Sequence, residues 1–171
     1  MKKISLIALG LVLLSGSAMA QQQTAQATGT GNAKAEIVSA LQIESKQDLD
    51  FGKMLGQSNT VTVSTAGQRS ATTPAGLVQS TPKQGVIEVS GGVADQSITI
   101  TGPVAGTSTE VTHTTDSSKK MTVSNYQTDP NGTTQLGAGG KTTINVGADL
   151  TVGADQATGT YTGTYPVTIT Y

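Results

Sequence analysis

Residues Ala157 to Tyr171 read ATGTYTGTYPVTITY, and they sort by parity into two faces. Gly159, Tyr161, Gly163, Tyr165, Val167, Ile169 and Tyr171 fall on one side; Thr158, Thr160, Thr162, Thr164, Thr168 and Thr170 fall on the other. Successive side chains of an extended chain point to opposite faces, so a period of two predicts a strand with buried odd residues and a threonine face in solvent. A ribbon that carries Tyr171 on its apolar face needs that ring inside the fold or inside a partner, which points to an assembly role. Packing in the core is the first task expected of Tyr161, Tyr165 and Tyr171.

The rest of the composition extends the strand reading to the whole chain. There are 29 Thr and 21 Gly but a single Phe and no Trp, and only 12% of residues are charged. Branching at Cβ restricts χ1 and suits the pleated sheet, so Thr, Val and Ile favour strands, and a chain this poor in charge cannot clothe long amphipathic helices. No stretch of ten residues beyond the first twenty has apolar spacing of three and four. The expected fold is all-β: one antiparallel, immunoglobulin-like (pilin-like) β-sandwich.

The first residues fix the expected compartment. Met1-Lys2-Lys3 is a basic start, Ile4 to Leu14 an apolar run, and Ala18-Met19-Ala20 a small-x-small cleavage site, the pattern of a secretory signal peptide over residues 1–20. A run of eleven residues falls short of the roughly 20 a bilayer-spanning helix needs. The expected product is exported to the periplasm, cell surface or medium, with no membrane span once the signal is cleaved. Its eight basic and eleven acidic residues balance at −3, which offers no basic patch for nucleic acid. Without cysteine, neither disulfides nor thiolate metal sites are available.

Along the chain, residues 21–34 read as a flexible polar arm and 35–171 as the sandwich domain. Ile37, Ser39, Leu41 and Ile43 begin the alternation, and Leu49-Asp50-Phe51-Gly52 is a short apolar element with a turn. Strands are expected around Val61 and Val63, Ile87 and Val89, Ile98 and Ile100, Met121 and Val123, Ile144 and Val146, and Leu150 and Val152. Gly91-Gly92, Asp129-Pro130-Asn131-Gly132 and Gly137-Ala138-Gly139-Gly140 carry the turn chemistry between them. Ala66 to Lys83, with Pro74 and Pro82, lacks alternation and is expected to be a loop crossing between the sheets.

Several of these motifs, namely Leu49-Asp50-Phe51-Gly52, Thr60-Val61-Thr62-Val63 with Gly67-Gln68-Arg69-Ser70, Met121-Thr122-Val123, Leu150-Thr151-Val152-Gly153 and above all the C-terminal GTYTGTYPVTITY, make the chain similar to a bacterial secreted family. That family is known only as domain of unknown function 4402, so the similarity implies a fold and a compartment but no activity. More loosely, the chain resembles chaperone-usher pilins and spore-coat U type subunits, whose last strand carries a Gly twelve residues before a near-terminal Tyr, as Gly159 and Tyr171 are spaced here. This second resemblance implies partners: a periplasmic chaperone, and copies of itself or related subunits, that add a strand beside Gly159, Tyr161, Tyr165, Val167, Ile169 and Tyr171. The arm offers only Ala25 and Ala27 as apolar side chains, worth about 1–2 kcal/mol at roughly 0.8 kcal/mol per carbon. Either Ile37 to Ile43 is the donor strand or the sandwich is closed.

Candidate chemistry is sparse. His113 lies in the polar run Thr112-His113-Thr114-Thr115, where an exposed and inert ring is expected, since a triad needs a buried orienting acid and an oxyanion site. Ser117-Ser118-Lys119-Lys120 has the S-x-x-K form without its companion motifs and reads as a basic turn. Asp48 with Asp50, and Asp129 with Asn131, could offer oxygens to Ca²⁺ but fall short of a full ligand set. Gly29-Thr30-Gly31 follows no strand and opens no helix, so it is no phosphate loop. No catalytic residue, metal or cofactor is expected. Two functions remain: a non-enzymatic, pilin-like assembly subunit, or an autonomous exported binding domain that contacts a ligand through the Ala66 to Lys83 loop.

Overall fold

The computed structural model describes residues 27–103 and 107–171. The expected signal peptide and residues 21–26 of the expected arm lie outside the described residues. Residues 27–41 carry no helix or strand. The strands that follow are β1 (Gln42–Gln47), β2 (Asn59–Val63), β3 (Arg69–Ala71), β4 (Gly85–Ser90), β5 (Ser97–Thr101), β6 (Thr109–His113), β7 (Lys120–Asp129), β8 (Gly132–Gln135), β9 (Thr142–Val152), β10 (Tyr161–Thr162) and β11 (Thr168–Thr170). Every pairing between them is antiparallel.

The longest strand, β9, organises the larger sheet. Its even residues Ile144, Val146, Ala148, Leu150 and Val152 are all buried, as alternation requires of one inward face. Along one side, β4 pairs with the first half of β9 (Ile87 opposite Ile144) and β2 with the second half (Val61 opposite Leu150). Along the other side lies β7, followed by β6 and β10; β1 flanks β4 and β3 flanks β2. The smaller sheet, in the order β11-β5-β8, covers the first half of β9. Ile98, Ile100 and Leu136 meet Ile87, Val89, Ile144 and Val146 there in a closed core. The architecture is an antiparallel β-sandwich.

Three expectations need correction. Ile37 does not open a strand: β1 begins at Gln42, and Ile37 is 98% exposed. Residues 66–83 are not a loop between sheets. They form β3, a hairpin partner of β2, and a single 3-10 turn at Pro74–Gly76, and the chain stays in the larger sheet on entering β4. Buried Asn59 anchors this excursion, donating from Nδ2 to the Thr73 carbonyl (3.0 Å) and accepting at Oδ1 from Thr72 Oγ1 and the Thr73 N–H (both 2.9 Å).

The third correction concerns the terminal ribbon, which is two short strands in different sheets. Tyr161 and Thr162 pair with His113 and Thr112 in the larger sheet, whereas Thr168, Ile169 and Thr170 pair with Thr101, Ile100 and Thr99 in the smaller one. Between them Pro166 has no N–H to give a ladder. Gly163 passes so close to Glu110 that a Cβ would lie 2.5 Å from its carbonyl oxygen. The ribbon therefore leaves one sheet and joins the other. Tyr171 is not buried either; it is 49% exposed.

Candidate functional site: an apolar groove beside the C-terminal ribbon

The second half of β9 is covered differently from the first. Val123, Ala148, Leu150 and Val152 form a second buried cluster, with Leu49, Phe51, Met54, Val111, Met121 and Tyr126 only partly buried around it. Among the described residues no strand of the smaller sheet packs on this half. The irregular segment 48–56 and the stretch 156–165, which includes β10, stand over it instead, and a groove of about 1070 Å³ runs between them. Its floor is the inward face of β6, β7 and β9: Val111, Met121, Val123 and Leu150.

Each wall is fixed by contacts that the local sequence explains. Asp50 exchanges backbone hydrogen bonds with Lys83 (2.8 and 2.9 Å), and Leu55 donates to the Gly76 carbonyl at 2.8 Å. Arg69, at the start of β3, reaches under the wall. Its Nη1 donates to the carbonyls of Phe51 and Lys53 (both 3.1 Å) and to Ser80 Oγ (3.0 Å), and its Nη2 to the Val78 carbonyl (2.9 Å). Gly52 makes that approach feasible: its φ of +76° suits glycine, and a Cβ there would lie 2.6 Å from Arg69 Nη1.

The opposite wall is the start of the terminal ribbon. The Tyr161 hydroxyl donates to the Ala157 carbonyl and accepts from Gln156 Nε2, each at 2.8 Å, and its ring meets His113 edge-on at 5.0 Å. His113 Nδ1 accepts from the Thr115 N–H (3.2 Å), which leaves Nε2 to carry the proton donated to the Thr158 carbonyl (3.1 Å). Gly159 lies against that ring. Its φ is +150°, and a Cβ would collide with His113 Nε2.

Where the groove meets the closed core, Tyr126 and Tyr165 stack at 5.3 Å with ring planes 35° apart. Burial pushes both phenols above their ordinary 10.0; the hydrogen bond between Tyr126 Oη and Thr109 Oγ1 (2.5 Å) pulls Tyr126 the other way. Opposite them Gly85 leaves room for the Tyr165 hydroxyl, which any Cβ at 85 would strike.

The residues expected to take a partner strand are thus divided. Gly159, Tyr161 and Tyr165 line the groove. Val167 and Ile169 are half-buried against the closed core, and Tyr171 lies beyond β11 with its hydroxyl on the Ser39 carbonyl (2.5 Å). Missed from sequence was Tyr126. A bulge between Ser124 and Gln127, with Asn125 at φ +50°, inverts the parity set by Met121 and Val123 and turns Tyr126 inward. Only the Asn in the middle of the strand hinted at it.

The remaining candidates are structural in their surroundings. Ser118 donates from both its N–H (3.0 Å) and its hydroxyl (2.6 Å) to Asp116 Oδ1, placing Ser117 to Lys119 in the turn between β6 and β7, with Lys120 opening β7. Asp50 Oδ1 accepts from the Gly52 N–H at 2.7 Å, and Asp129 to Gly132 joins β7 to β8. Among the described residues no three His, Asp or Glu side chains gather as metal ligands. No described helix is long and apolar enough to cross a membrane.

Fold and groove together define a class: an antiparallel sandwich whose smaller sheet covers only part of the larger one and leaves an apolar channel beside the C-terminal ribbon. The chain belongs to the family described as domain of unknown function (DUF4402), which matches it over residues 41–171. No curated protein and no solved structure matches it.

Proposed function

We propose that this protein is a non-enzymatic, exported assembly subunit of pilin-like type, joined to its neighbour by an added β-strand in the groove beside the C-terminal ribbon. The observation that carries the proposal is the shape of that groove. Its lining is mainly apolar, its floor is the inward face of a sheet, and one wall is the stretch 156–165, whose residues 163–165 have no strand partner among the described residues. An extended peptide laid there would gain main-chain hydrogen bonds from the wall and bury alternate side chains on the floor, the two contributions that sustain strand addition. Fully burying one Val, Leu or Ile contributes about 1.5–3 kcal/mol, so two or three such residues would hold a strand firmly. An apolar channel and unpaired strand edges left open would instead favour uncontrolled association, which gives an exported protein a reason to keep them occupied. A periplasmic chaperone is the natural temporary occupant under this proposal.

The test is to express the full chain with its own first twenty residues in a bacterial periplasm and measure the mass of the purified protein by light scattering across a range of concentrations. Concentration-dependent oligomers, or a stoichiometric complex with a co-expressed chaperone, are expected. A monomer at every concentration that melts cooperatively would overturn the proposal in favour of an autonomous binding domain.

A further inference from the structure

We infer that Met54 and Met121 form a reversible oxidation site that empties the groove, their thioethers converted to sulfoxides by a peroxide; the inference rests on the assembly proposal above. The sequence contains four methionines and no cysteine, and Met1 and Met19 fall within the expected signal peptide. The two that remain line one groove. Both are partly buried against the cluster of Val123, Ala148, Leu150 and Val152, Met54 from the wall and Met121 from the floor. Without a thiol, their thioethers are the sulfur that the exported chain offers to a two-electron oxidant, and compartments outside the cytoplasm are the oxidising ones. Each side chain is held in place by its backbone. The Lys53 carbonyl accepts from the Val78 N–H at 3.1 Å and the Leu55 N–H donates to the Gly76 carbonyl at 2.8 Å, on either side of Met54. Met121 stands in β7 opposite Val111, on the same face as Val123. Neither side chain can turn out of the groove without breaking these pairings.

In the reaction a sulfur lone pair attacks one peroxide oxygen. The S–O bond forms as the O–O bond breaks, the sulfur gives up two electrons to the peroxide, and the departing hydroxide takes the proton from the transferred oxygen and leaves as water. A flexible apolar side chain becomes a polar one with an acceptor oxygen. In the open groove water solvates that oxygen, so an isolated subunit bears the change easily. With a strand laid over the floor, the oxygen on Met121 faces Val111, Val123 and Leu150, whose side chains carry no donor, and burying it there unpaired is unfavourable. The sulfoxide thus distinguishes a filled groove from an empty one and shifts the population toward the empty state. By the same linkage, a strand that covers the sulfurs shields them from peroxide. A reductase that oxidises two thiols to a disulfide removes the oxygen as water and restores the groove.

Protein purified from the periplasm is exposed to hydrogen peroxide and the excess removed with catalase; oxygen uptake at Met54 and Met121 is read by peptide mass spectrometry and association by light scattering. One added oxygen on each methionine is expected, with association weakened at least about tenfold, as loss of a buried interface anchor does. Methionine sulfoxide reductases A and B with dithiothreitol should restore it. Assembled protein should take up oxygen more slowly than dilute, dissociated protein. The double variant Met54→Leu, Met121→Leu nearly conserves volume and removes the sulfur, so its affinity measured with and without peroxide should be the same. If that variant does not melt cooperatively, the reductase treatment of the wild type is the control. Doubly oxidised wild type that associates with unchanged affinity, or methionines left unoxidised while free methionine in the same tube is consumed, would overturn the inference and leave the assembly proposal standing. An untreated wild-type chain that stays monomeric would end both.

Discussion

The Tyr171 hydroxyl donates to the Ser39 carbonyl oxygen at 2.5 Å across 132 residues of sequence, tying the end of the terminal ribbon to the segment that precedes β1. One hydrogen bond of this kind contributes about 0.5–1.5 kcal/mol net. Tyr171→Phe keeps the ring and removes the bond, so urea denaturation is expected to show a loss near the lower end of that range, since both partners are accessible to water. The local effect should exceed the global one: limited proteolysis should cut residues 36–41 faster in the variant. Equal cleavage rates would mean that the contact does not restrain the segment.

Gly159 and His113 offer a sharper steric test. At φ +150° the backbone of Gly159 is in a region side chains rarely adopt, and a Cβ would enter the imidazole. Gly159→Ala is expected to destabilise the fold by about 1–3 kcal/mol, the scale of a strained backbone position. Adding His113→Ala removes the clash but not the strain, so a double-mutant cycle should return a favourable coupling and only part of the loss. Strict additivity would show that backbone conformation alone accounts for the penalty.

Arg69 holds one wall of the groove through four hydrogen bonds, three of them to main-chain carbonyls. Hydrogen bonds to a charged donor contribute about 1.5–3 kcal/mol where they are well shielded, and this side chain is only partly so. Arg69→Met is expected to cost about 1.5 kcal/mol in urea denaturation and to lower hydrogen-exchange protection at Leu55 and Val78, whose N–H groups bond across the same wall. Arg69→Lys should recover little, because a single ammonium cannot bridge carbonyls that a planar fork reaches together.

How much of this was legible beforehand depends on what periodicity can report. Alternation of Val61 and Val63, Ile87 and Val89, Ile144 and Val146, and Leu150 and Val152 declares which side chains face inward; the first two strands stand where expected, and the last two, expected separately, are one strand, β9. Strands β6 and β8 escaped because Thr-Glu-Val-Thr-His and Gly-Thr-Thr-Gln carry almost no apolar contrast; neighbouring strands define them. In the terminal ribbon the parity is real, since Tyr161, Tyr165, Val167 and Ile169 are half-buried while the threonines between them are exposed. Parity distinguishes inside from outside but does not say which sheet is inside, so the crossing at Gly163 to Val167 was invisible. The groove was hidden for a related reason. It results from a smaller sheet that stops short, and Met121, Val111 and Leu150 look like ordinary core positions until the covering layer is known.

The stacked phenols of Tyr126 and Tyr165 make alkaline pH a probe of the junction between groove and core. Both titrate above the ordinary 10.0, chiefly because burial disfavours the phenolate. Between the unfolded and folded values the native state holds protons that the unfolded state has lost, so stability falls as pH rises through that window. The stabilising contribution is fully present below about pH 10 and is lost once both states are ionised above the folded values. Urea midpoints measured upward from pH 9 should therefore decline, and Tyr165→Phe should flatten the decline while leaving stability near neutrality little changed, because the Tyr165 hydroxyl makes no protein hydrogen bond among the described residues. Tyr126→Phe should flatten it too, at the cost of the bond to Thr109. An occupant strand in the groove would bury the same rings further, so assembled protein should ionise them at higher pH than dissociated protein. Ultraviolet titration of tyrosinate on the two forms, with identical curves as the contrary result, separates a filled groove from an empty one.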